Sequence, residues 1–162
     1  ALGQQVIVEN RGGVQAMEAV ARAAPDGYTI LLQGNSIWLM PYLRESVAWD
    51  PLKDYVPITI PASSPNIVVV HPSLPVKSIG DMIGYETASV HAILVPVKTP
   101  QAIVTRLNQE IVRYVQTPEA TKRLLGAGVE PWGSTPEDVT KMMKNEMTRM
   151  GKVIRDAGIK AE

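Results

Sequence analysis

Apolar residues along this chain first fall in short β-branched runs and later at helical spacing. Gln5-Val6-Ile7-Val8-Glu9 reads as a strand, and Asn10-Arg11-Gly12-Gly13 breaks it. Val14 to Ala24 predicts a helix, with Met17, Val20, Ala21 and Ala24 on one face. The turn Pro25-Asp26-Gly27 leads into Tyr28-Thr29-Ile30-Leu31-Leu32, the clearest strand signal, apolar enough to be covered on both faces. Gly34-Asn35-Ser36 reads as a small polar loop, and Trp38 to Arg44 as a short helix. Tyr55 to Ile60 and Asn66 to Val70 predict two further strands joined by Ala62-Ser63-Ser64-Pro65. The prolines around His71 end the second of them. Ser78 can cap a short helix from Ile79 to Ile83, and Ala88 to Val95 is again strand-like.

After that the pattern is purely helical. Thr99-Pro100, Thr117-Pro118 and Thr135-Pro136 each precede an amphipathic run, pairing an N-cap residue with proline at the first helical position. Glu119, Glu137 and Asp138 place negative charge in first turns, where the helix dipole favours it. The three helices should bury Ile103, Leu107, Ile111 and Val115; then Leu124 and Leu125; then a stripe of Val139, Met142, Met143, Met147, Met150 and Ile154. Strands interleaved with helices and followed by helices predict an α/β domain with a mostly parallel sheet and a helical C-terminus.

Composition narrows the chemistry. The chain has 162 residues, 45% hydrophobic and 20% charged, with 16 basic and 16 acidic residues. A net charge of zero argues against nucleic acid as a partner, which needs a basic footprint. The absence of cysteine removes disulfides and thiolate metal sites. No apolar run approaches the length of a membrane-spanning helix. No metalloprotease, phosphate-loop, nucleophile-elbow or dinucleotide motif occurs, so neither a cofactor nor a metal is expected.

The remaining candidates are few. His71 and His91 have no flanking carboxylate and read as ordinary histidines sooner than as a metal pair. Arg11-Gly12-Gly13-Val14 could hold an anion at a helix start, although a plain turn explains it as well. Lys141, Lys144, Lys152 and Arg155 read as a solvated helix face, and the methionine stripe as core. More pointed is Gly34-Asn35-Ser36. It follows the clearest strand, and ligands in open α/β sheets bind beyond the carboxyl ends of strands. Small residues there admit a ligand to the backbone, Asn35 and Ser36 supply donors, and Ser63 and Ser64 could add two more. An ordinary loop is the competing reading.

Several longer stretches are similar to one family. Leu2 to Arg11, Glu18 to Leu32, Pro51 to Thr59 and Ser64 to Ser78 match it in order. So do Val95 to Pro100, Arg106-Leu107-Asn108 and Gly151 to Lys160. Together they resemble the Bug-type receptors of tripartite tricarboxylate transporters. The resemblance implies one lobe of a type-2 periplasmic-binding-protein fold, a periplasmic location and non-covalent binding of a small organic acid for delivery to membrane transporter subunits. It also implies several departures. The family's first strand, which lies inside its sheet, has no counterpart here, and the second lobe is reduced to a junction at residues 79–86. Residues 1–162 are then a single partial lobe. Val90-His91-Ala92 replaces the family's usual aromatic residue and glycine near the return strand.

Two other readings stay beside the receptor. The lobe could be an interaction module that pairs its open sheet edge with another copy, forming a homo-oligomer without binding ligand. An enzyme would have to draw its acid–base groups from Tyr28, His71, His91 and Glu86, whose spacing recommends no chemistry.

Overall fold

The computed structural model describes residues 3–66, 73 and 89–160. Within them α1 (Val14–Ala21), β1 (Leu31–Gly34), α2 (Ser36–Leu43), β2 (Tyr55–Ser64) and β3 (Ser89–Pro96) precede α3 (Gln101–Val115), α4 (Pro118–Gly126), β4 (Glu130–Pro131) and α5 (Pro136–Asp156). The α/β lobe with a helical C-terminus is thus present. Most of Asn66 to Val70, His71, the helix expected at Ile79 to Ile83 and the junction at 79–86 lie outside the described residues.

The strand directions differ from expectation. The sheet order is β1-β3-β2-β4, and all three of its ladders are antiparallel. β1 and β2 do run the same way, but β3 lies between them in the opposite sense. An apolar run such as Val90 to Val95 is covered on both faces in either arrangement, so its pattern cannot report direction. Leu31 faces Leu94 and Tyr55 faces Pro96 across these ladders.

The two faces of the sheet bury separate clusters. On one, Leu31, Ile60, Val90 and Leu94 pack with Met17, Trp38, Val139 and Met143 from α1, α2 and α5. On the other, Ile58 and Val95 pack against Val104 and Leu107 of α3. Trp38 and Ile37 are fully buried, and for Ile37 the removal of apolar area from water contributes roughly 1.5–3 kcal/mol. A buried polar joint ties the loop before α5 to β2: Ser134 N donates to Thr59 Oγ1 at 3.0 Å, Ile60 N donates to Ser134 Oγ at 2.8 Å, and Asn108 Nδ2 donates to the carbonyls of Ile58 and Ser134, each at 2.8 Å.

Other expectations are corrected locally. Gln5–Glu9 forms no ladder with any described strand, and Val6, Ile7 and Val8 stand exposed. The strand expected at Tyr28 to Leu32 starts later, at Leu31, and it is covered on one face only, because Leu32 is 61% exposed while Leu31 is 4% exposed. Ala62, Ser63 and Ser64 belong to β2 instead of a connector: a register shift between Thr59 and Ala62 absorbs Pro61, so the ladder continues past the proline. Thr99 does not cap α3. Its hydroxyl donates to Pro96 O at 2.7 Å across the turn at Lys98, leaving Pro100 at the N-cap position. Thr117 and Thr135 do cap their helices, the latter in a reciprocal box with Asp138. In α4 the inward residue is Ala120, and Leu125 is exposed.

Candidate functional site

Because β1 and β2 run the same way, their carboxyl ends lie at one end of the sheet, and β3 begins there between them. Register makes this concrete. Gly34 faces His91, His91 faces Ala62, Ser63 faces Val90, and Ser64 faces Ser89. The Ser64 hydroxyl lies 3.4 Å from His91 Nε2. Of the five residues singled out in the sequence, Gly34, Ser63 and Ser64 therefore share one end of the sheet. Asn35 and Ser36 continue directly from Gly34 into α2.

The expected loop is a tight strand-to-helix step. Asn35 occupies the N-cap position of α2 without capping it through its side chain. Its amide instead donates to Glu146 Oε1 at 3.2 Å, while the Trp38 indole donates to Glu146 Oε2 at 2.6 Å. Ser36 Oγ accepts from Gln33 Nε2 at 3.0 Å. The start of α2 thus has no side-chain cap, and helix starts favour negative charge. A Cβ at Gly34 would meet only Val90 O, at 3.8 Å, an ordinary contact. Packing does not require glycine there, and its absent side chain leaves the backbone open.

Glu146 joins this end of the sheet to a cavity of about 640 Å³ between β2, β3 and α5, whose lining includes Ile60, Val90, Trp132, Ser134, Glu146 and Arg149. No sequence signal marked Glu146 or Trp132. Glu146 is one carboxylate in a charged helix, and only the packing of α5 on α2 shows that it answers two donors. His91 was visible in the sequence but not as a neighbour of Ser64, because that contact depends on register. Tyr28, named as a possible acid–base group, is 84% exposed. Tyr55 is buried, which pushes its hydroxyl above the ordinary range, and it donates to Met17 O at 2.7 Å as a structural bond. The Arg11-Gly12-Gly13 turn enters α1 with Gly13 at φ 52° and no side-chain cap. Among the described residues no group of three or more His, Cys, Asp or Glu side chains could hold a metal ion, and no helix is long and apolar enough to cross a membrane.

Known proteins are similar to this chain in sequence and in fold. The chain is 38% identical to Protein BugT of Bordetella pertussis over 87 residues, a match covering 51% of this chain and 27% of BugT. The matched stretch is thus about a quarter of that relative's length. A "UPF0065 protein in tcbD-tcbE intergenic region" of Pseudomonas sp. (strain P51) aligns at 20% identity over 258 positions, covering 94% of this chain and 77% of the relative. The structure described as "R. palustris Rpa4515 with adipate" superposes with a TM-score of 0.83 at 21% identity, covering 98% of this chain and 88% of that one, which establishes the fold. The family described as "Tripartite tricarboxylate transporter family receptor" matches residues 1–89 and 82–159, so nearly the whole chain is accounted for, and the chain belongs to that family.

Proposed function

We propose that this chain is a lobe of an extracytoplasmic receptor that binds a small organic acid and delivers it to a tripartite tricarboxylate-type transporter in the membrane. The observation that carries the reading is the meeting of Gly34, His91, Ser63 and Ser64 at one end of the sheet, beside the uncapped start of α2. The carboxylate lies against the backbone of Gly34, Asn35 and Ser36, with the hydroxyls of Ser36, Ser63 and Ser64 as further partners. The adipate that accompanies Rpa4515 supports a short dicarboxylate as ligand class. Membership in the receptor family supports a periplasmic location.

Binding without catalysis is the favoured chemistry. The Ser64–His91 approach is the nearest thing to a nucleophile and base, but at 3.4 Å it is long, and among the described residues no carboxylate is bonded to His91 to orient it. The second lobe is reduced to a junction near residues 79–86. Two features support this: the family matches overlap at 82–89, and the alignment of 258 positions is longer than the 162-residue chain.

Calorimetric titration with mono-, di- and aromatic carboxylates tests the reading. Heat from at least one short dicarboxylate, weakened by Ser64→Ala, is expected. No heat from any organic acid would remove the receptor function. A second reading, a self-associating lobe that binds no ligand, is favoured by the edge of β1, which is open among the described residues.

A further inference from the structure

We infer that the free edge of β1 accepts the Gln5–Glu9 segment of a second copy of this chain as an added strand. This deepens the reading of the lobe as a self-associating module and is independent of carboxylate binding.

Three observations converge. First, β1 is an outer strand, with β3 on one side and no described strand on the other. Natural edges are blunted by charge, proline or shortness. The opposite edge obeys that rule, since β4 is only Glu130–Pro131. β1 reads Leu31-Leu32-Gln33-Gly34, with no charge and no proline. Its outward N–H and C=O groups meet no ladder partner among the described residues and are available to a further strand.

Second, the sheet face beside that edge is bare. Tyr28, Ile30 and Leu32, at alternate positions into and along β1, are 84%, 39% and 61% exposed. α3 covers this face further in, where Ile93 packs against its cluster, and Leu32 faces Ile93 across the ladder. The apolar surface therefore continues outward from a packed core to an uncovered strand.

Third, the chain itself carries the complement. Gln5–Glu9 sets three β-branched residues between two polar ones, has no Gly or Pro, and forms no ladder in its own copy. Val6, Ile7 and Val8 are 62%, 84% and 80% exposed. Paired along β1, the segment would satisfy backbone groups on both sides and bring Val6 and Val8, or Ile7, beside Leu32 and Ile30. Among the described residues each copy holds one unpaired segment and one unpaired edge, so two copies can exchange strands reciprocally, a closed two-fold arrangement. A net charge of zero sets no repulsion against it.

Sedimentation velocity over a range of concentrations, with the unsubstituted chain and with Ile7→Pro and Leu32→Lys, tests the inference. Both positions are exposed, so neither substitution disturbs the core. The expected result is a species of twice the 17.6 kDa chain mass, with each substitution weakening it by at least about tenfold, because proline removes a ladder donor and lysine places charge on the apolar face. As a second measurement, Ile7→Cys chains are mixed with Leu32→Cys chains and treated with a short bis-maleimide; the native chain has no cysteine. A mixed covalent dimer is expected. A monomer at every concentration would overturn the inference, as would a dimer that both substitutions leave intact and that gives no mixed cross-link. A dimer that binds no carboxylate would leave it standing and remove only the receptor function.

Discussion

The Trp38 indole N–H and the Asn35 amide converge on the two oxygens of one carboxylate, Glu146, at 2.6 and 3.2 Å. That single side chain fastens α5 to the first turn of α2, next to the end of the sheet where the acid is proposed to bind. Trp38 is itself fully buried, so its indole nitrogen has no recourse to bulk water. Stability and site geometry therefore depend on the same residue.

Glu146→Ala should cost about 1–3 kcal/mol, the penalty of leaving a buried donor unmet. Glu146→Gln, which keeps an acceptor, should cost clearly less. Urea unfolding followed by tryptophan fluorescence measures both, and equal losses for the two variants would show that the charge, and not the acceptor, matters.

Gly151 should resist the usual rule for helix interiors. Gly→Ala ordinarily stabilises a helix by about 1 kcal/mol. Here a Cβ would lie 2.6 Å from Tyr42 Cε1 and 2.8 Å from Cζ, in a ring that also carries Arg155 at 5.4 Å from its centroid. Overpacking of this kind costs about 1–3 kcal/mol. Gly151→Ala is therefore expected to lower the melting temperature, and a rise would mean that the Tyr42 ring moves aside freely.

The cap of α5 gives a pH signature. The hydrogen bond with the Thr135 side chain, seconded by that with its backbone N–H, holds the Asp138 carboxyl below its ordinary range. A depressed folded value means that the stabilisation is present above the unfolded pKa and is lost as pH falls through the folded one. Thr135→Ala should melt roughly 2–4 °C lower near neutrality, and the gap to the unsubstituted protein should narrow in acid. A gap that stays constant down to strongly acidic pH would show that the carboxylate contributes nothing to the cap.

How much of this was legible in the sequence depends on what each signal reports. Thr117 and Thr135 announced their helices because caps are local chemistry, whereas Thr99 misled because an equally local turn at Lys98 claimed its hydroxyl. Periodicity found the buried stripe of α5, including Val139, Met143 and Ile154. It could not find strand direction, since Val90 to Val95 would look the same in a parallel sheet, and it could not know that Leu32 lacks a covering layer. The small polar residues at Gly34 to Ser36 and at Ser63 and Ser64 were each visible. That Gly34, His91 and Ala62 fall in one row across three strands is a matter of register, which no single segment encodes. Glu146 lies more than a hundred residues from its partners, beyond the reach of any local pattern.

The most direct test of the proposed function is an amide chemical-shift titration with adipate, which reports weak binding as well as tight. The account predicts saturable shifts centred on the amides of Gly34, Asn35, Ser36, Ser63 and Ser64, with His91 moving alongside them. Shifts confined to other residues, such as those around Trp132, or no shifts with any short dicarboxylate, would contradict it.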